Sequence, residues 1–208
     1  MGLKIESGKK KKPVKAVFYG PEGCGKSTIG AAMPGALLVD SEDGTGYIDC
    51  KRVKVTNWAD LSAATMELGR DQNGFKTIVF DTIDAAERML ADYTAAKHQK
   101  ESIEEFGYGK GFVMVAESFN KFLRACDQIA EHANVILICH STVKKFSPPD
   151  EADAYDRYEM RLNKNVLPLV KEWADCIGFL TWMDTVVTQQ DGRKKATGGK
   201  KRLLHLER

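Results

Sequence analysis

The sequence predicts an α/β fold: a mostly parallel sheet flanked by helices, with late antiparallel strands. Three observations predict it. Short apolar runs at 14–19, 36–39, 77–80 and 135–139 lack the alternation of a half-exposed sheet, and such runs mark strands buried on both faces. Segments with helical spacing separate them, the pattern of parallel strands joined by crossovers. The runs lead directly into Gly20, Asp40, Asp81 and His140, and ligands of parallel sheets bind at the carboxyl ends of their strands.

Composition bounds the answer. At 208 residues, 43% of them hydrophobic, the chain suits one globular domain. Residues 1–12 read as a flexible basic arm that Pro13 closes, and 13–208 as a single domain. Thirty-one Lys and Arg against 29 Asp and Glu leave a net charge of +2, so overall charge gives no case for nucleic acid. The five cysteines form no CxxC pair, which argues against a zinc site, and reduced thiols fit best. No apolar run approaches the ~20 residues of a membrane span, and the N-terminal lysines precede no hydrophobic segment, so the expectation is a soluble cytoplasmic protein without membrane contact.

The elements follow in order. Residues 14–19 are β-rich and run into a glycine-rich turn; a short helix over 27–33 stops at Pro34-Gly35. A strand at 36–39 and a shorter one at 52–56 precede a helix over 58–68, with Trp58, Leu61, Thr65 and Leu68 on one face and Asn57 as N-cap. The strand at 77–80 leads into a helix over 83–98. Residues 101–112 hold glycines between aromatics and predict a loop, followed by a helix over 113–132 whose apolar side carries Val115, Phe119, Phe122 and Ile129. After the strand at 135–139, residues 144–165 have no clear period. Late strands are expected at 175–182, 184–190 and 202–206, with a turn at Asp191-Gly192.

Gly20-Pro21-Glu22-Gly23-Cys24-Gly25-Lys26-Ser27 satisfies the phosphate-loop pattern G-x-x-x-x-G-K-[ST] in full, between a strand and a helix. A chance match in a chain of this length has a probability on the order of 1%. The glycines let consecutive amides point into one concavity, which with the helix N-terminus behind it holds phosphate oxygens. Lys26 would place an ammonium on the β and γ oxygens. The Ser27 hydroxyl is a hard ligand for Mg²⁺, and Thr28 is the next contact, on the α-phosphate side. Cys24 reads as a small tolerated residue of the loop. The second metal arm should be an acid ending a neighbouring strand, and Asp81 fits; a helix N-cap role for Asp81, Thr82 or Asp84 is the alternative. The guanine-selective NKxD motif is absent, with Asn163-Lys164-Asn165 its nearest approach, so ATP is the expected nucleotide.

With the phosphate loop, the acidic turn Asp40-Ser41-Glu42 and the strand ending in His140, the sequence resembles the RecA-like P-loop ATPases, and among them the small phage-type AAA/RecA-like ATP-binding proteins. That resemblance implies ATP with Mg²⁺, a water-activating Glu42, and a γ-phosphate sensor at His140, where the family usually carries glutamine. It implies single-stranded DNA held by two loops: one at 104–112 with Phe106, Tyr108 and Lys110, the other at 143–163 with Lys144, Lys145, Arg157 and Arg161. It further implies a homo-oligomeric ring or filament, with Lys200, Lys201 or Arg202 completing a neighbour's site, and work in phage recombination or replication beside a single-strand-binding or annealing protein. A small-molecule or nucleotide kinase with Arg157 and Arg161 in a lid, and an ATP-gated assembly factor that binds no DNA, are the alternatives.

Overall fold

The computed structural model describes residues 7–8, 11–70, 74–147, 154–188 and 194–207, the stretches 184–188 and 194–200 and residue 207 by their backbone alone. The chain forms β1 (Lys15–Gly20), α1 (Lys26–Ala31), β2 (Ala36–Asp40), β3 (Lys51–Lys54), α2 (Trp58–Arg70), β4 (Thr77–Asp81) and α3 (Ile83–Lys97). A 3₁₀ turn (Ile103–Phe106), α4 (Lys110–Ile129), β5 (Asn134–Phe146), β6 (Tyr155–Met160), α5 (Leu167–Trp173), β7 (Cys176–Thr188) and β8 (Lys194–Glu207) follow. The eight-stranded sheet runs β3-β2-β4-β5-β1-β7-β8, with β6 paired to β5. Pairings from β3 through β7 are parallel; β8 on β7 and β6 on β5 are antiparallel. This is an α/β fold of the RecA-like P-loop type, as the sequence predicts.

The apolar runs become central strands because both their faces are covered. The cover is unequal. One face packs Val17, Val39, Phe80 and Leu137 against α2, α3, α4 and α5, with Phe119, Phe122, Leu123 and Ile129 of α4 at the centre. Phe80 and Phe119 meet Phe122 edge-on at 5.2 and 5.4 Å. The other face packs Phe18, Leu38, Val79 and Ile138 under α1, through Ile29, Ala31 and Met33. Gly30 allows the close approach, since a Cβ there would sit 2.9 Å from a Val79 methyl.

Three expectations change. β4 does not neighbour β1; β5 lies between them, so Asp81 belongs to the strand next but one. Within 143–163, where an open loop was expected, β5 continues past His140 to Phe146 and pairs antiparallel with β6 (Tyr155–Met160). The late strands expected at 175–182 and 184–190 are one strand over the described residues, β7 (Cys176–Thr188), with a register shift between Trp182 and Asp184, and the turn expected at Asp191-Gly192 lies outside the described residues. No helix among the described residues is long and apolar enough to cross a membrane.

Candidate nucleotide site

Strand register brings the site together. Asp40 lies opposite Asp81, Asp81 opposite Ile138, and His140 opposite Gly20, so the ends of four parallel strands line up at one edge. There a cleft of about 270 Å³ is bounded by Gly25, Lys26, Ser27 and Thr28 of the loop and by Glu42, Asp81, His140 and Arg202.

The loop takes the shape its glycines permit. Gly23 and Gly25 have φ of +72° and +94°, conformations that a side chain would strain. Gly25 is the N-cap of α1, so the first amides of that helix open toward the cleft. Lys26 is buried, and its ammonium donates to the carbonyls of Gly20 at 3.0 Å and Pro21 at 2.8 Å. The Cys24 thiol is buried beneath the loop, 4.0 Å from that ammonium.

Asp81 accepts a hydrogen bond from Ser27. Burial raises its carboxyl above the ordinary range, the Ser27 bond opposes this, and the charges of Asp40 and Glu42 add to the rise. Thr82, not Asp81, caps α3, its hydroxyl accepting from Ala85 N at 3.3 Å. The Asp81 carboxylate is therefore free of the cap role. The Ser41 hydroxyl accepts from Thr82 N at 2.9 Å and donates to Thr82 O at 3.0 Å, tying the turn after β2 to the end of β4.

Asp40 builds the acidic turn. It is buried and accepts from Glu42 N at 3.1 Å and Thr45 N at 3.2 Å, and from the Thr45 hydroxyl. Burial alone would raise its carboxyl; the Thr45 hydroxyl and the turn amides outweigh burial and hold it below the usual range. Glu42 is thereby presented to the cleft, where Arg88 of α3 holds it at 3.0 Å and His140 Nδ1 lies 3.8 Å away.

Asp84 was missed as part of the site. Its side chain is only 1% exposed and takes His140 Nδ1 at 3.2 Å and Arg161 Nη2 at 2.7 Å. Burial would raise the carboxyl, but the His140 and Arg161 bonds override it and hold it far below the ordinary value. Glu42, Asp84 and His140 offer ligand atoms within 4.8 Å of one another. Two guanidiniums, Arg88 and Arg161, already neutralise that cluster, which disfavours a cation there. Asp84 was legible only as a helix-cap candidate, because its partners lie 56 and 77 residues away.

The expected DNA residues scatter. Phe106 packs against His98 and under Lys100, while Tyr108 is fully exposed and Lys110 opens α4. Lys144 and Arg157 both pair with Glu159, and the Arg157 guanidinium lies 4.0 Å above the Phe146 ring. Lys145 is exposed on β5. Arg161, expected on DNA or in a lid, instead braces His140 through Asp84. Of the cations expected to serve a neighbouring subunit, Lys201 is exposed, Lys200 lies outside the described side chains, and Arg202 lines its own chain's cleft.

A family model described as an AAA domain matches residues 12–207. The chain belongs to that AAA domain family. Membership, with a complete phosphate loop at the carboxyl edge of this sheet order, makes it a P-loop ATPase of the RecA-like kind. No curated protein sequence matches the AAA domain chain significantly. Among solved structures, it is similar to the flagellar accessory protein FlaH from Methanocaldococcus jannaschii at 11% identity and a TM-score of 0.46, over 94% of this chain and 78% of that one.

Proposed function

We propose that the protein binds ATP with Mg²⁺ and hydrolyses it, with Glu42 as the water-activating base. The observation that supports this most is the convergence of Glu42, Asp81 and His140 on the cleft closed by Lys26 and Ser27. The donor set suits Mg²⁺: a hydroxyl and a carboxylate, Ser27 and Asp81, already in hydrogen-bond contact at the mouth of the loop. These two residues would hold the ion, which neutralises phosphate charge when bound.

The chain's own groups do the rest. The amides at the start of α1 hold the β-phosphate. Lys26 exchanges its bonds to Gly20 O and Pro21 O for phosphate oxygens. Glu42 accepts a proton from the attacking water, and Arg88 fixes its carboxylate. His140 stands at the cleft where the parallel part of β5 ends, beside the place the terminal phosphate would take, and donates to it.

The test is Glu42→Gln beside Lys26→Ala. The first keeps ATP binding, measured by calorimetry, and loses turnover; the second loses both. Unchanged turnover in Glu42→Gln would sink the assignment. Formation of a phosphorylated acceptor would turn the reading to a kinase, for which Arg157 and Arg161 would have to leave Glu159 and Asp84. ATP binding without turnover in the unaltered protein would turn it to an ATP-gated assembly factor.

The partner reading is single-stranded DNA, met by a homo-oligomer in phage recombination or replication, alone or with a single-strand-binding or annealing protein. The β5–β6 pair supports it: Tyr155 and Tyr158 are about half exposed, and Lys145 is exposed on the same pair of strands, rings and a cation suited to bases and phosphates. Filter binding of a labelled single strand, with and without ATP, tests it. Retention that Lys145→Glu and Tyr155→Ala abolish supports the β5–β6 pair, and no retention in either state removes the DNA partner.

A further inference from the structure

Among the described residues that line the cleft, Arg202 is the charged group that reaches it from the β7 side. β1, which carries the loop, has β5 on one flank and β7 on the other. His140 ends the β5 pairing with β1, and Asp81 and the Glu42 turn lie farther along the same flank. Groups suited to a terminal phosphate and its water therefore crowd the β5 side.

Arg202 arrives from the opposite flank. It lies on β8, directly across from Trp182 of β7. Its guanidinium carbon is 4.6 Å from the Trp182 ring centre. Its Nη1 and Cζ stand 2.5 and 2.8 Å from where a Cβ on Gly25 would be, so the planar cation presses on the loop at the N-cap of α1. The indole fixes the plane of the guanidinium, and a fixed fork of N–H donors suits phosphate oxygens.

We infer that Arg202 is a nucleotide-binding residue of its own subunit. It grips the inner phosphates of a nucleoside di- or triphosphate from the side opposite Glu42 and His140. The inference rests on the nucleotide reading above and deepens it. Gly25 then has a second reason to lack a side chain, because one would displace the guanidinium. The β7–β8 hairpin at the sheet edge becomes an element that nucleotide binding ties down. ADP and ATP share the inner phosphates, so Arg202 contributes to both alike, whereas a cation acting on the transferring phosphoryl group would act on turnover.

The experiment compares the unaltered chain with Arg202→Ala and Arg202→Lys. Calorimetry measures ADP and a non-hydrolysable ATP analogue, each with Mg²⁺, and ATP hydrolysis is followed at saturation. Arg202→Ala should weaken both nucleotides by the same factor, roughly 10-fold or more for a lost charge-assisted bond, with kcat within about twofold. Arg202→Lys should recover part of the loss. In the unaltered protein, ADP should change a tryptophan emission signal that Trp182→Phe removes, a readout that survives even if Arg202→Ala folds poorly. The inference is overturned if ADP affinity is unchanged while kcat falls, if the Trp182 signal is absent, or if mixing Arg202→Ala with Lys26→Ala chains restores hydrolysis, which would place the cation in a neighbour's site. If the unaltered chain binds neither nucleotide, the ATP reading itself has failed.

Discussion

Asp84 holds His140 twice, accepting its main-chain amide at 3.1 Å and facing its ring Nδ1 at 3.2 Å. Arg161 Nη2 reaches both groups, 2.7 Å from the Asp84 carboxylate and 3.1 Å from the same ring nitrogen. A buried anion and a guanidinium thus hold the His140 imidazole in place at the edge of the cleft.

The first prediction concerns that pair. Asp84→Asn removes the anion that holds His140 and leaves Arg161 without its buried partner. The variant should lose about 1–3 kcal/mol of stability by urea unfolding, less than a fully buried pair because Arg161 is 41% exposed. His140→Gln keeps a donor and should retain turnover, while His140→Ala should lose it. Equal activity in the glutamine and alanine variants would show that no donor is needed at this position.

Arg88 supplies the second. It bridges Glu42 at 3.0 Å and Asp84 at 3.4 Å from a side chain that is 56% exposed. So exposed a pair adds at most about 1 kcal/mol to stability, and its value lies in aiming the Glu42 carboxylate. Arg88→Ala should lower kcat severalfold and leave the Kd for ADP and the melting temperature nearly unchanged. Arg88→Lys should restore part of the rate. A fall in ADP affinity instead would mean that Arg88 serves the nucleotide directly.

What the sequence made legible divides along physical lines. The phosphate loop, Asp40, Glu42, Asp81 and His140 sit next to strand ends, and strand ends are readable because continuous apolar runs are. Asn57 caps the start of α2 as its position predicts, its side-chain oxygen accepting from Asp60 N at 2.9 Å. The hold of Arg88 on Glu42 and of Asp84 on His140 and Arg161 was not readable, because charge pairing across 46 to 77 residues leaves no local pattern. The pairing of β5 and β6 was hidden too, since the strands alternate charges that are matched only across the pair, as Lys144 is with Glu159. Arg202 was seen as a cation near a strand end, but the sequence could not say whose cleft it enters.

The third prediction uses the uneven cover of the sheet. α1 is the helix that packs on the face formed by Phe18, Leu38, Val79 and Ile138, and Gly30 is its point of closest approach. A methyl there would lie 2.9 Å from Val79 Cγ1 and 3.0 Å from Ile138 Cδ1. Gly30→Ala gains helix propensity but must push α1 outward, for a net loss of about 1–3 kcal/mol in urea unfolding. Because α1 carries the loop amides, nucleotide affinity should fall with it. A variant as stable as the parent would show that the helix can shift freely over this face.

The last prediction is a pH dependence centred on Glu87. Burial pushes its carboxyl up to about 7 from 4.5, the Asn163 amide opposes this, the Asp84 charge adds to the rise, and Arg88 pulls it back. Asn163 N donates to both carboxylate oxygens at 3.1 Å, at the edge of an apolar cleft lined by Ile103, Phe112 and Val115. Between those two values the folded chain holds a proton that the unfolded chain has released, so stability falls as pH rises. The contribution is complete below 4.5 and gone above about 7. Asp84 works in the other direction: its depressed carboxyl adds stability above 3.8 and loses it on acidification, outside the Glu87 window. Glu87→Gln mimics the protonated form at every pH. Relative to the variant, the unaltered protein should lose about 1–3 kcal/mol between roughly pH 5 and pH 8, read as a falling urea midpoint. Parallel midpoints for the two proteins across that range would show that Glu87 is ionised throughout, with the Asn163 amide and Arg88 sufficient to offset its burial.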